Sequence, residues 1–220
     1  SAQVREELKA KTQAMVEKYG VRPGLAVIIV GDDPASKVYV NNKEKGCAEV
    51  GYYSEVYRLP ADTKEEDLLA LVDKLNKDEK IHGILCQLPL PKHLSEKKVI
   101  ERISPDKDVD GFSAISVGKL CQGEDTFIPC TPLGIMDILK YYDIKTSGKK
   151  AVVIGRSNIV GKPMAILLMQ RGIDATVTVC NTKTPDLKEY TRDADIIVVA
   201  TGCPNTIDES FVKDGATVID

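Results

Sequence analysis

Apolar positions along the chain follow two alternating periods, one helical and one strand-like. Val4, Leu8, Met15 and Tyr19 recur at helical spacing and Gly20 closes the pattern, which predicts a first helix. Leu25 to Val30 is an unbroken apolar run, as expected of a strand buried on both faces. Asp33 followed by Pro34 supplies an N-cap and a first-turn proline for a helix ending near Gly51. Tyr52 to Leu59 reads as a second strand, Thr63-x-x-Glu66 as a capping box before Leu68, Leu71, Val72 and Leu75, and Ile81 to Leu88 as a third strand. Further on, Thr131-Pro132 is expected to cap a helix, Ala151 to Ile154 to be a strand and Gly161 to Arg171 a helix. Thr176 to Val179 is the next strand, Thr184-Pro185 the next helix start, and Ile196 to Ala200 a strand again.

Strands alternating this regularly with helices predict an α/β protein with parallel sheets covered by helices. The Gly- and Asp-rich stretch from Asp106 to Asp125 separates two lobes. An N-terminal α/β lobe is expected over residues 1–126 and a C-terminal parallel-sheet lobe over 127–220. Gly215 to Ile219 reads as a strand, so the end at Asp220 predicts that a C-terminal continuation is missing, and the start inside a helical pattern looks trimmed as well.

Composition narrows the function classes. The 220 residues are 43% hydrophobic with a formal net charge of -3, which argues against nucleic acid or an anionic membrane as the main partner. No apolar run is long enough to span a bilayer, and no signal peptide is evident. Cys47, Cys86, Cys121, Cys130, Cys180 and Cys203 form no C-x-x-C pair. They read as reduced thiols of a cytoplasmic protein and not as a disulfide framework. With only His82 and His93, a histidine-rich metal centre is not expected.

Two constellations carry candidate chemistry. Val152 to Pro163 has the order strand, glycine-bounded loop, helix start, with Gly155, Arg156, Ser157 and Gly161 at the turn. Small residues let backbone approach a pyrophosphate, and a helix N-terminus offers it N–H groups. The spacing is not G-x-G-x-x-G, and a turn without ligand stays open on these residues alone. The second strand of this lobe ends in Cys180-Asn181-Thr182-Lys183-Thr184, without the acid that holds ribose hydroxyls in NAD sites. With Arg156 in the loop, this favours NADP, the alternative being that Arg156 and Lys183 are solvated surface charges. In the first lobe, Ser36, Tyr39 and Lys43 share one face of the helix after Asp33. A lysine beside an aromatic ring and partly desolvated can serve as acid or base, the alternative being that Lys43 and Tyr39 are surface decoration of the helix. Gln87, a polar amide at an apolar strand end, is placed to hydrogen-bond it, and Asp110 in the turn Pro105–Phe112 to accept from a nitrogen heterocycle. A satisfied buried amide and a merely structural acidic turn remain the plain alternatives.

Taken together, Gly31 to Ser36 with Tyr39 and Lys43, Gly83 to Pro91, Pro105 to Phe112, Pro129 to Gly134, Ile154 to Pro163 and Ala194 to Gly202 closely resemble the bifunctional methylenetetrahydrofolate dehydrogenase/cyclohydrolase family. The resemblance spans nearly the whole chain. It implies a Rossmann-like NAD(P)-binding second lobe, NADP as cofactor, one-carbon tetrahydrofolate derivatives as substrates, and a homodimer. It further implies that Lys43 is the acid/base lysine, Gln87 its hydrogen-bond partner, Tyr39 the ring stacking on the pterin and Asp110 the carboxylate orienting it. Ser36 supports the lysine helix, and Gly155, Arg156, Ser157, Thr182 and Gly161 belong to the cofactor site. The family's His-Ser pair after the second strand of this lobe is Asn181-Thr182 here, and its Pro-Gly-Gly-Val-Gly-Pro segment is absent from these 220 residues. A dehydrogenase-only relative and a nucleotide-sensing protein without catalysis are the competing readings. Retention of Lys43 with Gln87 speaks against the first, and retention of Tyr39, Gln87 and Asp110 together against the second.

Overall fold

A computed structural model describes residues 2–220. Packing divides the chain into two compact units, one ending at Val109 and one beginning at Asp110.

In the first unit, α1 (Ala2–Tyr19) precedes β1 (Gly24–Val30), α2 (Pro34–Val50), β2 (Tyr53–Leu59), α3 (Glu65–Lys77), β3 (Gly83–Cys86) and α4 (Glu96–Arg102). The three strands form one parallel sheet in the order β2-β1-β3. Alternate residues of β1 enter opposite layers, as a strand buried on both faces requires. Ala26, Ile28 and Val30 pack with Leu68, Val72 and Leu75 of α3. Val27 and Ile29 pack with Val40 of α2 and Leu85 of β3. The predicted helical spacing of α1 is present, but Val4, Leu8, Met15 and Tyr19 are exposed and Thr12 is its buried residue.

The second unit contains α5 (Ala114–Gln122), α6 (Cys130–Tyr141), β4 (Lys150–Ile154), α7 (Gly161–Met169), β5 (Thr176–Cys180), α8 (Leu187–Thr191), β6 (Ile196–Val199) and β7 (Thr217–Ile219). Its sheet is parallel in the order β5-β4-β6-β7. Ala151, Val153, Ile196 and Val198 face Leu120, Ile135, Leu139, Met164 and Leu168 of α5, α6 and α7. Val152, Ile154 and Ile197 face a smaller cluster with Leu187 of α8. Residues 110–126, which the sequence grouped with the first lobe, pack with the second: Leu120 lies in its core and its carbonyl accepts from Gln170 Nε2 at 2.7 Å.

Three helix starts differ from expectation. The capping box at Thr63 and Glu66 does not form: α3 has Lys64 as its N-cap without a side-chain bond, and the Thr63 hydroxyl donates to the Pro60 carbonyl at 2.6 Å. Helix α6 starts at Cys130, so Thr131 and Pro132 lie in its first turn and do not cap it. Helix α8 starts only at Leu187, because the Thr184 hydroxyl is engaged by the Asn181 amide at 2.9 Å.

Each sheet has its first strand flanked by the next two, so the chain leaves β1 and β4 at points where the strand order reverses. In open parallel sheets a crevice opens there, outside the C-terminal strand ends. The candidate residues Lys43, Gln87, Gly155 and Arg156 come from segments following those ends.

Candidate active site and dinucleotide site

In the first unit, helix α2 is fixed at both ends. The Asp33 carboxylate accepts from the Ser36 amide at 2.8 Å, Pro34 occupies the first turn, and Gly51 closes the helix in the left-handed conformation at φ 81°. The amide and then the hydroxyl of Ser36 hold the Asp33 carboxyl below its usual range. Ser36 is buried in this first turn, where it secures the start of the helix that carries Tyr39 and Lys43.

Lys43 Nζ donates to Gln87 Oε1 at 2.8 Å. Gln87 follows β3 directly, and its backbone amide donates to the Ile28 carbonyl at 2.8 Å, extending the sheet pairing by one step. Its side-chain Nε2 donates to the Leu88 carbonyl at 2.9 Å. That second bond sets which end of the amide faces the lysine. An amide oxygen accepts only, so it takes one N–H from Lys43 and offers that lysine no proton. The sequence had no signal for the Leu88 carbonyl, since a backbone acceptor carries no residue identity. Tyr39, one turn before Lys43, is 60% exposed, leaving its ring face accessible.

The loop leading to Asp110 is tied down by a residue that the sequence reading passed over. Lys107 Nζ donates to the carbonyls of Leu75 and Asp78 at 3.0 and 2.8 Å, closing the C-terminal end of α3. Asp108 is buried and bridges in parallel to Ile84. Asp110 itself is partly buried and is the first residue of the second unit.

In the second unit, β4 runs into Gly155 at φ 124°, where a Cβ would lie 2.4 Å from the Ala200 carbonyl oxygen. At Gly161, the first residue of α7, a Cβ would lie 2.2 Å from the Gly155 oxygen. Both contacts are with backbone, so only glycine permits strand, loop and helix to close this tightly. The Ser157 hydroxyl accepts from the amides of Val160 and Gly161 at 3.1 and 3.3 Å, and its proton is left to donate. Arg156 and Thr182 are exposed, and Arg156 makes no hydrogen bond or ion pair among the described residues. A glycine-limited loop, a hydroxyl, a helix start and an uncommitted guanidinium suit a dinucleotide carrying an additional phosphate. Among the described residues, no group of three His, Cys, Asp or Glu is placed to hold a metal ion, and no helix is long and apolar enough to cross a membrane.

A parallel α/β unit with a lysine–glutamine pair, followed by a Rossmann-like unit with a phosphate-type turn, defines a two-lobed dinucleotide-dependent enzyme. Residues 1–110 match the model of the tetrahydrofolate dehydrogenase/cyclohydrolase catalytic domain, and residues 129–220 match that family's NAD(P)-binding domain. The bifunctional protein FolD of Bacillus thuringiensis (strain Al Hakam) is 54% identical over 219 residues, covering 100% of this chain and 74% of the relative. The crystal structure of FolD from Campylobacter jejuni superposes with a TM-score of 0.96 at 51% identity, covering 100% of this chain and 77% of that one. The Trypanosoma brucei dehydrogenase–cyclohydrolase, complexed with NADP cofactor and inhibitor, has a TM-score of 0.93 at 36% identity, with 99% and 74% covered. The chain belongs to the tetrahydrofolate dehydrogenase/cyclohydrolase family.

Proposed function

We propose that this protein oxidises 5,10-methylenetetrahydrofolate to 5,10-methenyltetrahydrofolate with NADP and hydrolyses that product to 10-formyltetrahydrofolate. The observation that carries the reading is the Lys43–Gln87 hydrogen bond at 2.8 Å, in a chain whose two units each match the corresponding domain of the family. NADP, when bound, accepts the hydride from the one-carbon bridge. Gly155, Arg156, Ser157, Thr182 and Gly161 are the residues that would hold it, and their task is to keep two flat rings in register.

The second reaction needs proton transfers, and here Lys43 acts. Lys43 Nζ takes a proton from water as the water oxygen bonds to the methenyl carbon. As the carbon–N5 bond breaks, a proton goes to N5, the hydroxyl proton is lost, and the net release is one proton per turnover. Gln87 keeps Nζ in place while leaving its lone pair for water. Tyr39 stacks on the pterin, Asp110 accepts from its ring nitrogens, and Ser36 secures the helix through Asp33. Replacing Lys43 by Ala is expected to slow methenyltetrahydrofolate hydrolysis by about 10²–10⁴-fold, the usual worth of a general acid–base group. Measurable NADP reduction should remain. Equal survival of both activities in the purified variant would remove Lys43 from the mechanism.

The protein works as a homodimer in the cytoplasm. Support for the first comes from Ile138, Tyr141, Tyr142 and Val179, large apolar side chains left exposed on the second unit. Support for the second comes from Cys121 and Cys203, exposed thiols outside any disulfide and suited to a reducing compartment. Light scattering on the purified chain should give twice the monomer mass, and a monomer at micromolar concentration would refute the dimer.

A further inference from the structure

Resting on the reading of the second unit as an NADP site, we propose that Lys183 is a second cation for the 2′-phosphate of NADP. Asn181 is the positioning residue that builds the turn presenting it.

Strands β4 and β5 lie side by side in parallel, with Ile154 opposite Cys180. Their pairing continues past the strand ends, because the Gly155 amide donates to the Cys180 carbonyl at 2.9 Å. The two segments that follow therefore leave the same edge of the sheet together. One carries Arg156, and the other is Asn181-Thr182-Lys183-Thr184.

That second segment is a closed turn. The Asn181 amide donates to Thr184 Oγ1 at 2.9 Å, the Thr184 amide to the Asn181 carbonyl at 2.9 Å, and the Lys183 amide to Asn181 Oδ1 at 3.0 Å. This arrangement is an Asx-type turn, in which the asparagine side chain stands in for backbone. Asn181 is thereby committed to the turn, at the position where the family has histidine. Thr182 and Lys183 are left exposed at its tip.

Charge then decides what the tip can take. Lys150, Lys162 and Lys213 of this unit each reach a side-chain oxygen, of Asp193, Asn158 and Asp195 respectively. Neither the Arg156 guanidinium nor the Lys183 ammonium has such a partner among the described residues. No acid stands at the end of β5, where one would hold the ribose 2′-hydroxyl and repel a phosphate. Two uncommitted cations and the Thr182 hydroxyl, carried by segments that leave the same sheet edge, suit a dianionic phosphate: a planar fork from arginine, a point charge from lysine. Asp186 is the nearest acid along the chain, three positions beyond Lys183, and is exposed.

The test is calorimetric binding to the full chain of NADP, NAD, adenosine 2′,5′-bisphosphate and AMP. Lys183→Met is expected to weaken NADP and the bisphosphate roughly two- to fivefold, as for one solvent-exposed charge pair, with a far smaller change for NAD and AMP. Lys183→Arg should restore most of the preference, and the salt dependence of NADP binding should be shallower in Lys183→Met than in the parent. If Lys183→Met keeps the parent's NADP-to-NAD ratio while Arg156→Ala lowers it, the role of Lys183 is wrong and the NADP site stands. Equal weakening of NADP and NAD by Lys183→Met would also overturn it, since that marks loss of the turn and not of a phosphate contact. If both variants leave the ratio unchanged, the phosphate site itself is misassigned.

Discussion

Replacing Gly161 by Ala tests the tightest contact in the second unit. The new Cβ would lie 2.2 Å from the Gly155 oxygen, 2.6 Å from its carbonyl carbon and 2.8 Å from the Arg156 nitrogen. All three neighbours are backbone, so no flexible side chain can swing away. Restoring ordinary contact requires α7 and the β4 loop to separate by about 1 Å in an interior packed at crystal-like density. Overpacking of this kind costs about 1–3 kcal/mol, and the rigidity of the neighbours points to the upper part of that range. The intrinsic gain from replacing helical glycine with alanine offsets less than about 1 kcal/mol of it. A net loss of about 2–3 kcal/mol corresponds to a fall in Tm of roughly 5–10 °C for a chain of this size. Separation would also break the bonds from Val160 and Gly161 to Ser157, so NADP affinity should drop roughly tenfold by the loss of aligned donors. Thermal denaturation with circular dichroism and NADP titration by calorimetry read both effects. Gly46→Ala serves as the control: it lies inside α2, its Cβ would meet nothing within 4 Å, and it should raise stability by about 0.5–1 kcal/mol. A Gly161→Ala protein with the parent's Tm and NADP affinity would refute the close-approach argument.

The remaining predictions concern charge. Loss of hydrolysis with retained hydride transfer in Lys43→Ala, and loss of the NADP-to-NAD preference in Lys183→Met, separate the two units by function. Light scattering decides the dimer. On β2, the hydroxyls of Tyr53 and Tyr57 both donate to the Glu55 carboxylate, and this bond, with burial adding to it, pushes Tyr57 up to about 12 from its ordinary 10. A raised folded-state value means that the contribution of the pair to stability is complete below pH 10 and disappears as pH rises through about 12. Glu55→Gln should bring the late-titrating tyrosine absorbance down towards pH 10; an unchanged alkaline titration curve would mean that Glu55 does not hold Tyr57.

Strands were legible because their signal is a property of the residues that form them. Leu25 to Val30 is apolar at every position and became the central strand β1, with alternate side chains entering different layers. Asp33 was legible as a cap since Pro34 fixes the turn behind it. Thr63 was misread because a hydroxyl three residues after a turn carbonyl can bond backward, and the Pro60 carbonyl, which also accepts from the Thr63 amide, takes that hydroxyl at 2.6 Å. Thr184 was misread for a related reason, its hydroxyl holding Asn181 and not a helix amide. Such choices turn on competing local acceptors that residue type does not rank. At the candidate site, the Lys43–Gln87 contact was foreseeable from helix face and strand end. The Leu88 carbonyl that orients Gln87 and the Lys107 bonds to α3 were not, because their partners are backbone atoms far away in sequence or without side-chain identity. The grouping of residues 110–126 with the second unit depended on Leu120 and Gln170, a packing partnership with no periodic signature.

The two reactions place different demands on the chain: the Lys43–Gln87 pair lies in the first unit and the dinucleotide turn in the second. Lys43 is fixed entirely within the first unit: Asp33 and Gly51 bound its helix, Val40 anchors that helix to the sheet, and Gln87 is held by Ile28 and Leu88. The turn that takes the dinucleotide is fixed entirely within the second, by Gly155 against Ala200 and Gly161 against Gly155. A strain introduced at Gly161 acts on backbone of the second unit, whereas the hydrogen bonds that hold Lys43 and Gln87 lie within the first. Gly161→Ala should slow NADP-linked oxidation at limiting NADP while still hydrolysing added methenyltetrahydrofolate, the reciprocal of Lys43→Ala. If hydrolysis fell in parallel with oxidation in a Gly161→Ala protein that remains folded, the separation of proton handling from cofactor holding would be wrong. Lys43 would then depend on the second unit for its geometry.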